Sequence, residues 1–198
     1  ILLNRADIKH DLYFSEGILD VLNHASDKPL HGSKLGIDAT DKIQGEPGFG
    51  SNETSSTATL SDICSKAVNH FPDIISCRLS GENSKSPIIL VALNKTRPYQ
   101  GSEFIKAFFA TQEFTDIKAL IVMEAHEDLN NNSIIAWKLL NNIDPRRDCQ
   151  IIGDRLGIDI TRKIVEEGYE QTWPEEINMS PEIKSLIDKK WDRLFTHK

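Results

Sequence analysis

The chain contains one sequence pattern twice, which limits it to folds built from a repeated unit. Leu2–Asp11 returns in altered form as Leu139–Asp148, and Leu35–Ile43 returns as Leu156–Ile164. The first match is displaced by 137 positions and the second by 121, so the later copy lacks 16 residues between the two motifs. Matching motifs in the same order indicate a duplicated unit. Because the match covers only the tail of that unit, we expect the chain to begin inside one copy and to run through a second.

Charge and hydropathy exclude two classes of partner. The formal net charge is −7 at pH 7, whereas a surface that binds nucleic acid needs excess positive charge to neutralise phosphates. The same negative charge disfavours anionic membrane surfaces. The longest apolar run, Ile88–Leu93, has the length of a buried strand, and a transmembrane helix needs about 20 apolar residues. We therefore expect no nucleic-acid binding and no membrane insertion.

Cysteine usage indicates a reducing compartment. Cys64, Cys77 and Cys149 are widely spaced, and the sequence has no Cys-x-x-Cys motif of the kind that binds zinc or exchanges disulfides. We interpret the three as small buried apolar residues. The first residues also lack the basic segment followed by an apolar one that forms a secretion signal. Together these features predict a cytoplasmic protein.

One stretch without hydrophobic periodicity divides the chain. Residues 45–58 are rich in Gly, Ser and Pro, which predicts a linker. Residues 1–44 then hold the tail of the first copy, and residues 59–198 hold the second copy. In the first-copy tail we predict three short elements, namely a strand at Asp11–Phe14, a helical turn at Gly17–His24 and a glycine-flanked loop at Gly32–Gly36.

The second copy alternates between strand and helix periodicity. Two strands joined by a polar turn, Ile74–Leu79 and Pro87–Leu93, predict a hairpin. From residue 87 the predicted order is βαβαβ, which ends with a strand at Cys149–Ile152 and implies parallel strands. Gly153 and Gly157 are assigned to turns. We predict an α/β fold, with a mixed, mainly parallel sheet flanked by helices, an N-terminal remnant of the duplicated unit and a long C-terminal helix.

The C-terminal helix is amphipathic. Ser180 suits its N-terminal cap and Pro181 suits its first position. One face carries a stripe of large apolar side chains, formed by Ile183, Leu186, Ile187, Trp191, Leu194 and Phe195. Such a face is normally covered, either by the chain's own sheet or by a neighbouring subunit. The sequence leaves both arrangements open.

Phe14–Ser26 and Gly32–Lys42 carry the pattern Leu-Asp-x-Leu-(Asn/Asp)-His-Ala-Ser followed by Gly-Ser-Lys-Leu-Gly-Ile-Asp-Ala-Thr-x-Lys. In these two segments the chain resembles, nearly position for position, the C-terminal domain of the UbiD family of decarboxylases. The second copy resembles the same domain in degenerate form, at Ala119–Asp128 and at Asp144–Asp148. The two copies together extend the resemblance over most of the chain outside the linker.

The resemblance implies the chemistry of a longer parent enzyme. UbiD-like enzymes are carboxy-lyases that reversibly decarboxylate aromatic or α,β-unsaturated acids with prenylated FMN, a divalent metal and potassium. Members act in ubiquinone and menaquinone synthesis, so a polyprenyl-hydroxybenzoate is one candidate substrate. In the family the cofactor and the catalytic residues lie in an upstream flavin-binding domain, which we do not recognise in this chain. We therefore expect no catalytic residue and no cofactor in this fragment, which should be inactive alone.

The resemblance also implies a role for the portion that is present. The family's C-terminal domain chiefly supports oligomerisation, and one of its loops helps to wall the substrate pocket. That loop corresponds to Leu22, Asn23 and His24, and the second copy has lost it with the 16 missing residues. We accordingly expect an assembly or scaffold portion that docks on the flavin-binding domain and forms a homo-oligomer through the C-terminal helix.

A second hypothesis makes the degenerate copy a binding module. Glu124, His126, Glu127 and Asp128 follow a predicted parallel strand, and open α/β sheets bind ligands at the carboxyl ends of their strands. Carboxylates and a histidine at this place are candidate ligands for a divalent metal or a small molecule. The other interpretation of the same residues is a solvated loop that caps the next helix. A third possibility is an interaction domain whose final helix docks on another protein.

Overall fold

The protein is described by a computed structural model for residues 5–47, 49, 62–81, 86–176 and 178–195 of its 198 residues. Most of the predicted linker at 45–58 lies outside these residues, as does most of the polar turn predicted between the first two strands of the second copy. Within the described ranges the chain forms a two-stranded sheet and a five-stranded sheet.

The first-copy tail forms a β-hairpin. Its strands are β1 (Leu12–Ile18) and β2 (His31–Ile37), which pair antiparallel over their full lengths. The short strand predicted at Asp11–Phe14 is present and longer, but the helical turn predicted at Gly17–His24 and the loop predicted at Gly32–Gly36 are wrong. A Cβ on Gly32 would lie 2.6 Å from Oδ2 of Asp144. This glycine therefore marks a close approach within a strand, where the sequence had suggested a loop.

The five-stranded sheet belongs to the second copy and has the order β3-β4-β5-β7-β6. Its strands are β3 (Ile74–Ser80), β4 (Ile88–Leu93), β5 (Ala119–Glu124), β6 (Cys149–Ile152) and β7 (Arg155–Asp159). The central strands β4, β5 and β7 run parallel, and the edge strands β3 and β6 are antiparallel to their neighbours. Burial on both faces explains why β4 and β5 are continuous apolar runs. The predicted α/β fold is confirmed.

The parallel partner of β5 differs from the predicted one. Cys149–Ile152 is a strand, as predicted, but it pairs antiparallel with β7, and β7 takes the parallel place beside β5. Gly153 has a φ of +67° and starts the tight turn between β6 and β7, which agrees with its predicted role. Gly157 lies inside β7, against the prediction of a turn. A Cβ at Gly157 would lie 2.2 Å from Cγ2 of Ile105, in the helix at Gln100–Ala110. The absence of a side chain at Gly157 therefore lets this helix pack closely against β7.

Helices cover both faces of the large sheet. They are α1 (Ile63–His70), α2 (Gln100–Ala110), α3 (Asn132–Asn141), α4 (Pro145–Asp148) and α5 (Pro181–Phe195). The face under α1 and α2 holds an aromatic cluster in which Phe108 and Phe114 stack with ring centroids 4.3 Å apart. The opposite face packs on Leu129 and Ile135, the latter from α3. Within the described part of the chain no helix is long and apolar enough to cross a membrane.

The apolar face of the C-terminal helix α5 is exposed. Pro181 is its first residue, as predicted, and the helix ends at Phe195. The described apolar side chains of its stripe remain 40–57% exposed, namely Ile183, Leu186, Ile187, Trp191 and Leu194. The sequence had left open whether the chain's own sheet or a neighbouring subunit covers this face. Among the described residues, the chain's own sheet does not cover it.

Candidate functional site

The first-copy tail contains a lysine that joins two aspartates. Lys42 Nζ lies 2.8 Å from Oδ1 of Asp11 and 2.8 Å from Oδ2 of Asp38. The backbone N–H of Thr40 and its hydroxyl both donate to Oδ1 of Asp38. Asp11 in turn accepts a hydrogen bond from the backbone N–H of Asp7. The hydrogen bonds to Asp11 and Asp38 raise the pKa of Lys42, which therefore stays charged.

The same arrangement recurs in the second copy. Lys163 Nζ lies 3.5 Å from Oδ1 of Asp148 and 3.3 Å from Oδ2 of Asp159. Thr161 donates to Oδ1 of Asp159 from both its N–H and its hydroxyl, and Asp148 accepts from the N–H of Asp144. Each residue stands at the displacement found in the sequence, 121 for the later motif and 137 for the earlier one. The repeated sequence motifs thus also make corresponding hydrogen bonds.

The 16 additional residues of the first copy lengthen its hairpin. Leu12 pairs with Ile37 in the first hairpin, and their counterparts Cys149 and Ile158 pair in the second. From these equivalent pairs inward, the first hairpin continues to a loop at 19–30, whereas the second closes at residues 153 and 154. The longer hairpin therefore projects a loop that the degenerate copy does not have.

The projecting loop rests on the second copy through His24. Its Nε2 lies 3.2 Å from Oδ1 of Asn142, and its ring meets Trp173 edge-on at a centroid distance of 5.5 Å. The Tyr169 hydroxyl donates to the backbone carbonyl of His24 at 2.6 Å. The amide oxygen of Asn23 accepts from two backbone N–H groups of the same loop and fixes its turn. His24 is therefore a docking residue between the two copies.

Asp144 and Arg147 anchor the base of the same loop. Asp144 accepts from the N–H of Ser33 at 3.1 Å and from the Ser33 hydroxyl, and it also caps α4. Arg147 donates to Asp27 in the loop and to Asp148 in its own helix. Burial opposes the charge of Arg147, but its hydrogen bonds and the charges of Asp148 and Asp27 outweigh this and raise its pKa. The hairpin is thus held by charge-assisted hydrogen bonds.

The three residues predicted to line a substrate pocket separate into two groups. Leu22 is 84% exposed at the end of the loop, next to Val21, which is 78% exposed. Asn23 and His24 are partly buried and make the contacts with the loop and the second copy described above. Among the three, Leu22 alone presents its side chain to the outside of the described structure.

Three of the four predicted metal-ligand candidates come together after β5. His126 lies 3.6 Å from Glu124 through Nδ1 and 3.3 Å from Glu127 through Nε2. Asp128 does not join them, because its carboxylate accepts from the backbone N–H of Asn130 as a local turn. Glu124 also accepts from the N–H of Arg162 at 3.0 Å and so links the ends of β5 and β7.

The structure adds two residues that the sequence did not reveal. Glu176 lies 3.6 Å from Nε2 of His126, and donor atoms of His126, Glu127 and Glu176 fall within 4.8 Å of one another. Lys138, 7% exposed, donates from Nζ to both Glu127 and Glu176. Burial lowers the pKa of Lys138, but these two carboxylates outweigh it and raise the pKa overall. A lone lysine within the apolar run of α3 was the one signal in the sequence for this cluster.

Lys138 thus takes the place that a cation would occupy between the carboxylates. The cavity beside it has a volume of about 10 Å³ and is lined by Glu124, Glu127, Asn142 and Trp173 among others. This is room for about one water molecule. The cluster is consequently a compensated ion-pair network, and an aromatic acid does not fit into it.

A larger cleft lies on the other side of the same loop. It has a volume of about 370 Å³ and opens at the carboxyl ends of β4, β5 and β7, the usual place for ligands of parallel sheets. Lys95, Arg97 and Arg162 line it together with Glu124 and His126. Lys95 is engaged with Glu167 at 2.7 Å, and Arg97 pairs with Glu103. The basic residues of this cleft were not recognised in the sequence because they come from segments far apart in the chain.

Comparison with known sequences finds a family model that matches more than half of the chain. The sequence model described as the 3-octaprenyl-4-hydroxybenzoate carboxy-lyase C-terminal domain matches residues 52–162. An uncharacterized protein of Helicobacter pylori strain 26695 is 31% identical over 182 residues, which is 92% of this chain and 28% of that protein. An uncharacterized protein of Aquifex aeolicus is 29% identical over 141 residues, 63% of this chain and 29% of that protein. The chain therefore spans less than a third of these relatives.

Two solved structures share the fold. A dimeric form of the UbiD-class enzyme HmfF from Pelotomaculum thermopropionicum, in complex with prFMN, superposes with a TM-score of 0.50 at 18% identity. The match covers 63% of this chain and 28% of that one. The closed form of vanillic acid decarboxylase from Sedimentibacter hydroxybenzoicus gives a TM-score of 0.52 at 14% identity, over 68% of this chain and 31% of that one. At such identities the likeness concerns the fold alone.

Proposed function

Because the chain belongs to the UbiD C-terminal domain family, we propose that it is the C-terminal assembly portion of a UbiD-like decarboxylase. The whole protein acts on an aromatic or α,β-unsaturated acid in the cytoplasm, and a polyprenyl-hydroxybenzoate of quinone synthesis is one candidate. Prenylated FMN, a divalent metal and potassium belong to the flavin-binding domain of the longer protein. Among the described residues, the cluster of Glu127 and Glu176 does not fit that metal, since Lys138 already joins the two carboxylates.

The observation that carries this proposal is the end of the first-copy hairpin. Ile18, Val21 and Leu22 are 84%, 78% and 84% exposed, although the adjoining His24 and Ser26 are fixed against the second copy. A group of apolar side chains held in place and left uncovered is typical of an interaction surface. We assign it to the flavin-binding domain, where Leu22 helps to wall the substrate pocket.

The test is decarboxylation by the full-length protein loaded with prenylated FMN, followed as CO₂ release from an aromatic acid. Leu22→Ser should lower kcat/KM at least tenfold, because one buried aliphatic contact is worth about 1.5 kcal/mol or more. The matched control is Ile75→Ser, which alters an exposed isoleucine of β3 far along the chain and should leave kcat/KM within twofold. Equal activity of Leu22→Ser and parent would overturn the assignment of this loop.

The fragment itself provides a second test. The isolated chain, incubated with prenylated FMN, Mn²⁺ and K⁺, should release no CO₂ from the acid that the full-length protein uses. Turnover by the isolated chain would show that it carries a catalytic site of its own and would refute the assembly role.

The exposed stripe of α5 supports assembly through a second copy of the chain. Ile183, Leu186, Ile187 and Leu194 are 40–57% exposed along one helix, and burying such a stripe against its symmetry mate is the common way to form a dimer. Light scattering should give the mass of an oligomer for the 198-residue chain and that of a monomer for a chain that ends before Pro181. A monomeric parent would exclude homo-oligomerisation through this helix.

The second candidate function is a binding module at the Glu124–Asp128 loop. The cleft of about 370 Å³ beside this loop has room for a small anionic molecule. Its candidate partner is Arg162, because Lys95 and Arg97 are already paired with Glu167 and Glu103. The metal version has His126, Glu127 and Glu176 as ligands and requires Lys138 to move away.

Calorimetry separates these versions. If Mn²⁺ displaces Lys138, titration of the unsubstituted chain with Mn²⁺ should show a heat of binding. A Glu124→Ala/Glu127→Ala variant should then show no such heat. No heat with the parent removes the metal version. Heat with inorganic phosphate that is lost in an Arg162→Ala variant would support the anion version, and its absence would remove it.

A further inference from the structure

Two of the three cysteines face each other between α1 and β3. Cys64 is the second residue of α1, and Cys77 lies in the middle of the edge strand β3. The Cys77 thiol donates to Cys64 with the two sulfur atoms 2.8 Å apart. A disulfide bond measures about 2.05 Å, so the two sulfurs need to approach by less than 1 Å to be joined. The sequence had given no reason to pair them, because 13 positions separate them without a known motif.

The surroundings of the pair are partly open. Both cysteines are half-buried against the aromatic core under α1, and neither is sealed from the solvent. Cys149 differs in chemistry, because burial together with the charges of Asp148 and Asp144 raises the pKa of its thiol to about 12. Oxidants react with the thiolate, so Cys149 is disfavoured as a competing site.

We propose that Cys64 and Cys77 form a reversible disulfide under oxidising conditions, a modification site that tethers α1 to the edge strand of the sheet. This inference is independent of the function proposed above. It departs from the interpretation of the cysteines as inert apolar residues, since that interpretation requires only burial and not a pair of facing sulfurs.

The reaction with a peroxide balances in two steps. The Cys64 thiolate attacks one oxygen of hydrogen peroxide, the O–O bond breaks, and a sulfenic acid and hydroxide are formed. The hydroxide takes up the proton that the Cys64 thiol had released and becomes the first water molecule. The Cys77 sulfur then attacks the Cys64 sulfur, loses its proton, and displaces the hydroxyl as a second water molecule. The two thiols together lose two electrons, and the peroxide accepts them and is reduced to two water molecules.

The order of the two steps follows from the hydrogen bond. Cys77 is the donor, and its bond to Cys64 together with burial raises the pKa of the Cys77 thiol far above the ordinary value. Cys64 is the acceptor of this hydrogen bond, so the Cys77 S–H would stabilise a thiolate at Cys64, and we assign the reaction with the oxidant to Cys64. Cys77 then acts as the resolving thiol, as the neighbouring cysteine does in redox-sensor pairs.

Intact-mass analysis of the purified chain tests the proposal. After treatment with hydrogen peroxide and removal of the excess, the unfolded chain is alkylated with iodoacetamide without a reductant. We expect one alkylated cysteine in place of three, identified by peptide mapping as Cys149, together with a linked peptide that joins Cys64 to Cys77. Prior treatment with dithiothreitol should restore three alkylated cysteines.

Matched variants make the result specific. Cys149→Ser should still lose both remaining thiols on oxidation, whereas Cys64→Ser and Cys77→Ser should form no intramolecular disulfide. The oxidised parent should also melt about 5 °C above the reduced parent, because the bond closes a short loop between a helix and a strand. Three alkylated cysteines after peroxide, or a disulfide that includes Cys149, would overturn the proposal.

Discussion

Lys42 and Lys163 stand 121 positions apart in the chain, and each lies between two aspartates, one just before a hairpin and one at its end. Lys163 also donates hydrogen bonds to the backbone carbonyls of Asp159 and Thr161. The two networks differ in burial. The side chain of Asp159 is 3% exposed, whereas that of Asp38 is 37% exposed. The same substitution at the equivalent residue of the first copy can therefore serve as a control for a substitution in the second copy.

The first prediction uses this pair of lysines. Lys163→Met leaves Asp148 and Asp159 buried without their shared cation, which should lower the free energy of unfolding by about 3–5 kcal/mol. Burial already raises the pKa of Asp148, and the charges of Lys163 and Arg147 oppose that rise. Urea denaturation followed by circular dichroism measures the loss. Lys42→Met should cost distinctly less, since water reaches Asp38, and an equal cost for both would contradict the burial argument.

The second prediction concerns the equivalent glycines of β2 and β7. In Gly157→Ala the new Cβ would lie 2.2 Å from Cγ2 of Ile105, so the Ile105 side chain or α2 must shift, and we expect a loss of about 1–3 kcal/mol in the free energy of unfolding. In Gly36→Ala the nearest atom, the carbonyl oxygen of Tyr13, lies 3.8 Å away. Thermal unfolding should show a lower Tm for Gly157→Ala and little change for Gly36→Ala. A neutral Gly157→Ala would mean that α2 does not press on β7.

The third prediction tests the docking of the hairpin. Ser33→Ala removes the hydroxyl that donates to Asp144 and accepts from the N–H of Arg146, which should loosen the loop at 19–30. Hydrogen exchange of that loop should rise at least tenfold, as expected for the loss of about 1.4 kcal/mol. The control is Ser15→Ala on the paired strand, where the side chain is exposed. Faster exchange in both variants would mean that either substitution destabilises the hairpin itself. The contact of Ser33 with Asp144 would then not be the cause.

The fourth prediction is a dependence on pH. The hydrogen bond from Lys138 lowers the pKa of Glu176 below its ordinary 4.5. A carboxyl whose pKa is lowered by folding stabilises the fold above the unfolded value and loses that contribution as the pH falls through the folded value. Parent and Glu176→Gln should thus differ at pH 6.5 by about 0.5–1 kcal/mol, since Glu176 is 46% exposed, and converge towards pH 3. A difference that persists at pH 3 would exclude the ion pair as its cause.

Much of the fold is encoded in local periodicity, and those elements were predictable. The apolar runs of β4 and β5 and the amphipathic stretch of α2 require only neighbours along the chain. β7 was missed because Arg155–Asp159 is short and contains Gly157, a residue typical of turns. Its strand conformation depends on pairing with β5, more than 30 positions earlier, which periodicity does not register.

The candidate site was only partly predictable, for the same physical reason. Glu124, His126 and Glu127 are adjacent in sequence, and their proximity could be inferred. Lys138 and Glu176 reach them from 11 and 49 positions beyond Glu127, so their roles depend on the folded chain. His24 was predicted in a pocket loop through a family resemblance, and its contacts with Asn142 and Trp173 could not be read from spacing.

The lengthened hairpin also determines the order of events during synthesis. Its contacts close chain segments of 111 residues between Ser33 and Asp144, and of 145 residues between His24 and Tyr169. Translation proceeds at roughly 5–20 residues per second, so β1 and β2 leave the ribosome many seconds before their docking surface exists. During that interval Leu19 and Ala25, which are buried in the folded chain, lie on a hairpin without tertiary support. Within this chain, the first segment to be synthesised is therefore among the last to reach its folded contacts.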